Sequence, residues 1–116
     1  MMTPQEGSML NQIVLVGKVL EMPQLRETNK GHKVVNLLIA VQRNFRNSVG
    51  EYESDAIMCT LWRGVAESVS AVCEVGSLVG IKGRLQANCF ESKDQRPFHY
   101  CEVIAEKVSF LSPKAG

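Results

Sequence analysis

Lys82, Arg84, Gln86, Asn88 and Phe90 recur at every second position of the stretch GSLVGIKGRLQANCF, residues 76–90. Successive side chains of a strand point to opposite faces, so these five share one face. Val79, Ile81, Leu85, Ala87 and Cys89 share the other, which reads as an ordinary core face. The first face is basic and polar with a ring at its end, an arrangement that stability alone does not require. Two more rings sit beside cations: Phe45 between Arg43 and Arg46, and Trp62 immediately before Arg63. With only seven aromatic residues in the chain, their placement is informative. Rings stack on bases while Lys and Arg meet phosphates, and every base offers a π-face, so the stacking tolerates any sequence. This is the chemistry of a groove for a single nucleic-acid strand. Tyr52, Phe98, Tyr100 and Phe110 are read instead as core or turn residues.

Other chemistries are less well supported. Glu51, Glu53 and Asp55 alternate and could share a face around a hard cation, as a metal-assisted nuclease would need. No further acidic cluster accompanies them, so a solvated hairpin arm is the expectation. His32 and His99 are isolated from any nucleophile or base. Cys59, Cys73, Cys89 and Cys101 show no metal-ligand spacing and are read as buried structural thiols, consistent with a reducing cytoplasm. These features predict a non-enzyme with no cofactor and no metal. The formal net charge is +1, so attraction to a polyanion must come from local patches. No apolar run reaches the roughly 18 residues of a membrane span, and residues 1–8, MMTPQEGS, lack a signal-peptide core.

The elements that must position these residues follow from periodicity. QIVLVGKVL (12–20) reads as a strand, ETNKGHK as a turn, and VVNLLIAVQ as a strand burying Val35, Leu37, Ile39 and Val41. RNFRNSVGE is a loop or hairpin tip. IMCTLW is a third strand with Ile57, Cys59 and Leu61 inward and Met58, Thr60 and Trp62 on the opposite face. Val65, Val69, Val72 and Cys73 then form a helical stripe stopped by Gly76. The strand from Gly76, the polar turn ESKDQRP and a last strand, FHYCEVIAEKVSFL, complete the order. The parity of that last strand breaks along its length, as at a bulge. Three strands, a helix and two strands match an all-β domain with one helix: the five-stranded Greek-key OB-fold barrel, its helix between strands three and four. Glycines beside Val79 and Lys82 suit strongly curved strands. The expected organisation is a disordered lead at 1–8, one domain at 9–113 and a short tail at 114–116.

The segments MLNQIVLVGKV, PQLRETNKG, LLIAVQRNF, TLWRGVAESV, GSLVGIKGRLQ and EVIAEKVSFL occur in the order and spacing of one family. From Met9 to Pro113 the chain resembles the bacterial single-stranded DNA-binding proteins. The resemblance implies an OB-fold that assembles, usually as a homotetramer, and wraps single-stranded DNA without catalysis in replication, recombination or repair. It implies base-stacking rings at Phe45, Trp62 and Phe90, and basic contacts at Lys18, Arg26, Arg43 and Arg84, to which the face parity adds Lys82. It implies a cytoplasmic, nucleoid-associated protein with no membrane partner. Four positions depart from the family pattern: Ala56 and Glu27 where rings are common, Asn88 for a frequent arginine, and Glu74 where lysine is common. The sequence ends at SFLSPKAG, before the linker and acidic tail through which most housekeeping members recruit other enzymes. Either a tail has been removed, or this is a short paralogue. A related expectation is a dimeric, primosome-type OB protein that acts mainly through protein partners in replication restart.

Overall fold

Alternating apolar residues build five long strands, and the structure is a computed structural model describing residues 9–91 and 97–112, with side chains described for 9–88 and 99–111. In chain order these are β1 (Ile13–Val19), a two-residue β2 (Arg26–Glu27), β3 (Lys33–Arg46), β4 (Tyr52–Trp62), α1 (Arg63–Val72), β5 (Leu78–Glu91) and β6 (Pro97–Ser112). The expected lead at 1–8 and tail at 114–116 lie outside the described residues.

The strands hydrogen-bond in the order β1-β5-β6-β4-β3-β2, and β1 also pairs with β3 through Lys18–Ala40 and Val19–Ile39. That last pairing closes a five-stranded barrel, with β2 an added edge. The β4–β6 pairing is parallel and short, Cys59–Val103 to Leu61–Ala105, while the other pairings are antiparallel. This is the OB-fold read from the element order. Closure brings backbones close at two glycines. A Cβ at Gly17 would lie 2.5 Å from the Ala40 carbonyl oxygen, and one at Gly83 would overlap the Ile104 carbonyl. Gly80 faces only the Leu111 side chain at ordinary contact distance, so close packing of the backbones requires a glycine at 83 and not at 80.

The core combines Val35, Leu37 and Ile39 of β3, Cys59 and Leu61 of β4, Val79 and Ile81 of β5, and Val103 and Ala105 of β6. The helix packs on the core through Ala66 and Val69, and Cys73, which caps its C-terminus, is buried beside them. Val72 is 61% exposed, so the buried stripe runs through Ala66 rather than through Val72 as its periodicity suggested. Gly76 adopts φ 90°, as expected of a residue that turns the chain after a helix, and its N–H donates to the Val19 carbonyl.

Two strand pairs extend beyond the barrel as arms. β1 stops pairing with β5 at Gly83, and β6 leaves β4 at Val103, so residues 84–91 and 97–102 bond mainly to each other. The register shift opposite Lys82–Gly83 leaves Glu106 as the extra residue, which is the parity break expected in the last strand. The other arm is the β3–β4 hairpin, where Asn47 Oδ1 accepts from the Val49 and Glu51 N–H groups around a turn with Gly50 at φ 82°. Phe45 therefore lies on a strand rather than in a loop.

Candidate nucleic-acid interface

Paired residues on adjacent strands point to the same side, so the registers define a continuous outer face. Across the barrel it runs Asn36 on β3, Thr60 on β4, Ile104 on β6 and Arg84 on β5. Along β4 it includes Met58, 49% exposed, and Trp62, 39% exposed. On the β5–β6 arm it includes Gln86 opposite Glu102 and Asn88 opposite Tyr100. Trp62 owes its exposure to its place at the last residue of β4, where the chain turns into α1. The next residue, Arg63, has φ 57°, an uncommon left-handed conformation for a non-glycine residue.

This face carries a chain of side-chain hydrogen bonds. Arg84 Nη1 donates to Gln86 Oε1 at 2.8 Å, Gln86 Nε2 to Asn88 Oδ1 at 3.4 Å, and Asn88 Nδ2 to Glu102 Oε1 at 2.7 Å. Thr60 Oγ1 donates to Glu102 Oε2 at 2.7 Å, so the carboxylate ties β4 to β5 across β6. Arg84 Nε also lies 3.7 Å from Glu106 Oε2. Gln86 and Asn88 are half-buried by these bonds, whereas Leu85, expected in the core, is 41% exposed and Ala87 is exposed. The reason is the arm itself: β1 pairs with β5 only as far as Gly83, and among the described residues Leu85 and Ala87 lie beside no strand but β6.

The β3–β4 arm presents Phe45, 65% exposed, beside a groove of about 440 Å³ lined by Val14, Val16, Arg43 and Asp55 among others. Tyr52, expected in the core or a turn, is half-exposed with the Arg46 guanidinium 5.2 Å from its ring centroid. Arg43 is held by acids. Its Nη2 and Nε donate to Asp55 at 2.8 and 3.1 Å, and its Nη1 to Glu53 at 3.0 Å. The hydrogen bonds that Arg43 donates to Asp55, then the charges of Asp55 and Glu53, raise the Arg43 pKa, and the same hydrogen bonding holds the Asp55 carboxyl below its ordinary value. Glu53 and Asp55 thus chelate a guanidinium, and among the described residues no group of acids, histidines and cysteines is arranged to hold a metal ion.

The remaining expected residues are distributed around this face. Arg26 pairs with Val34, which pairs with Trp62, so it lies in the Trp62 row two strands along. Lys18 and Lys82 are exposed on the β1 side, Lys82 in register with Val14 and Lys107. Among the described residues no carboxylate lies within ion-pair distance of Lys18, Arg26 or Lys82. Phe90 is on β5 opposite Phe98, and its side chain lies outside the described residues, as does that of Cys89. Of the other thiols, Cys59 and Cys73 are buried as expected, with burial pushing the Cys59 thiol up to about 11, but Cys101 is exposed on the arm.

A model of the single-strand binding protein family matches residues 10–111. The chain belongs to that family. It is 42% identical over 106 residues to single-stranded DNA-binding protein B of Bacillus subtilis (strain 168), covering 91% of this chain and 94% of that protein. It is 44% identical over 108 residues to single-stranded DNA-binding protein A of the same strain, covering 93% of this chain and 63% of the relative. The Bacillus cereus single-stranded DNA-binding protein is 43% identical over 108 residues, with coverages of 93% and 64%. The chain thus spans nearly the whole of one relative and about two-thirds of the longer ones.

Within this family fold, Tyr100 and Glu102 on the outer face were missed by the sequence reading. Tyr100, 43% exposed, was assigned to the core or a turn because the bulge at Glu106 hid the parity of β6. Glu102 and Thr60 are brought together from 42 residues apart, and no local spacing signals such a pair.

Proposed function

We propose that this chain binds single-stranded DNA without strong sequence preference, stacking bases on Trp62, Phe45 and Phe90 and meeting phosphates with Lys18, Arg26, Lys82 and Arg84. The supporting observation is the exposed Trp62 on a continuous outer face with Met58, Tyr100 and Arg84. A folded barrel with a sufficient core gains nothing from presenting these groups together. From Tyr52 to Trp62, β4 spans about 33 Å at the usual strand rise, room for several nucleotides between the Phe45 arm and Trp62. The reading includes the domain at 9–113, a cytoplasmic setting, and service to DNA replication, recombination or repair. It requires no catalysis, because the family is one of binding proteins.

Self-association belongs to the same reading. Val14, Val16 and Leu111 are 65%, 49% and 51% exposed around one surface depression on the β1–β5–β6 side. Burying such a patch against a second copy supports an oligomer, with the tetramer preferred on family resemblance.

Trp62 is the sole tryptophan, so its emission reports the site directly. Oligo-dT should quench it, with log affinity falling against log salt by about 0.7 per phosphate contact. Emission indifferent to oligo-dT at low salt refutes the stacking role. A second reading, the dimeric primosome-type protein acting chiefly through protein partners, is favoured by one observation: two expected DNA-binding cations, Arg43 and Arg84, already have carboxylate partners. A dimer by solution mass with weak oligo-dT affinity would select that reading, and a tetramer with tight affinity would reject it.

A further inference from the structure

Glu102 is an anomaly on a face proposed to receive a polyanion. Its carboxylate is fixed between Asn88 Nδ2 and Thr60 Oγ1, each at 2.7 Å, and among the described residues no cation lies within ion-pair distance of it. A carboxylate offers about four lone-pair positions, all acceptors. Two are filled by Asn88 and Thr60, one on each oxygen. A phosphate cannot occupy the remaining positions, because it has like charge and no proton to give. The groups a nucleic acid can supply there are the N–H donors of its bases.

Position 100 says how a base would arrive. Tyr100 is two residues before Glu102 on the same face of β6, about 7 Å along the strand, and is substantially exposed. A base stacked over the Tyr100 ring can turn its edge toward the carboxylate. Cytosine presents an exocyclic amine there, the donor that Glu and Asp accept when they read this base. Thymine presents carbonyl oxygens on either side of its single N–H, and those oxygens oppose the carboxylate.

We infer that Glu102, with Tyr100 as its stacking platform, is a base-reading position that favours cytosine over thymine. The inference rests on the single-stranded DNA reading, and adds a preference to a groove otherwise tolerant of sequence. Thr60 and Asn88 are positioning residues, since they hold the carboxylate without being required to touch DNA.

The test is competition between labelled oligo-dC and oligo-dT of equal length, at one salt concentration, on the full chain. Both are pyrimidines, so ring size does not differ. Glu102→Gln replaces an acceptor-only group with one that also donates, and the Thr60 hydroxyl can reverse to accept from it, so the stitch between strands is preserved. The expected result is a shift in the dC-to-dT affinity ratio toward dT by about fivefold or more, the lower end of what one good base contact discriminates. Glu102→Ala should shift the ratio in the same direction and serves if the glutamine variant fails to fold. A merely structural role would lower the melting temperature and weaken both oligonucleotides equally. An unchanged ratio with both oligonucleotides still bound overturns the inference alone. Failure of the unaltered protein to bind either one overturns the DNA reading, and the inference with it.

Discussion

Arg43 offers the sharpest test of how charge is apportioned on the β3–β4 arm. Its guanidinium donates three hydrogen bonds to Asp55 and Glu53, at 2.8 to 3.1 Å, so any phosphate must displace two carboxylates to reach it. All three side chains are solvent-accessible, and exposed pairs of this kind contribute little to stability. Their effect should fall on binding instead. In the double variant Glu53→Gln with Asp55→Asn, Arg43 becomes available and the local anionic charge is removed. One added phosphate contact on a single strand steepens the log affinity–log salt line by about 0.7. Between 50 and 200 mM salt, a fourfold range, the advantage of the variant over the unaltered protein should then shrink by about 2.6-fold. Fluorescence titration of Trp62 with oligo-dT at four or more salt concentrations measures both lines. Arg43→Gln supplies the cross-check: it should barely alter the unaltered protein, yet abolish the gain in the double variant. Parallel salt lines with unchanged affinity would refute the competition. An equally large loss from Arg43→Gln in both backgrounds would show that DNA already displaces the acids.

Two stability predictions follow from the barrel. Burial raises the Cys59 thiol to about 11 from an ordinary value of 9.0, so the folded state keeps its proton where the unfolded chain releases it. Stability must therefore fall as pH rises from about 9 to 11, by up to roughly 3 kcal/mol. Urea midpoints across that range should fall more steeply for the unaltered protein than for Cys59→Ala, and equal slopes would refute the assignment. Gly83→Ala drives a Cβ into the Ile104 carbonyl and should cost about 1–3 kcal/mol or more, whereas Gly80→Ala, facing only Leu111, should stay within about 0.5 kcal/mol. Similar melting temperatures for the two variants would show that the β5–β6 crossing can relax.

Parity alone correctly grouped Lys82, Arg84, Gln86 and Asn88 on one side of β5, because alternation is a local property of any extended chain. It could not say which side of β5 is buried at each point. Val79 and Ile81 are buried because β1 and the core lie against them, while Leu85, on the same side, is exposed because β1 has ended at Gly83. Burial is decided by where neighbouring strands stop, a non-local fact with no signature in the segment itself. The same limit explains Tyr100 and Glu102. Their face could be assigned only once the extra residue at Glu106 was located, and that extra residue exists only relative to the partner strand. Arg43 shows the converse. Its acids, Glu53 and Asp55, were visible in sequence as two of three alternating carboxylates on an expected hairpin arm, and the hairpin register brings Arg43 against them from across the turn. Where a partner lies one hairpin away, pattern comes close to contact. Where it lies across a parallel pairing such as β4–β6, as Thr60 and Glu102 do, only the closed barrel joins them.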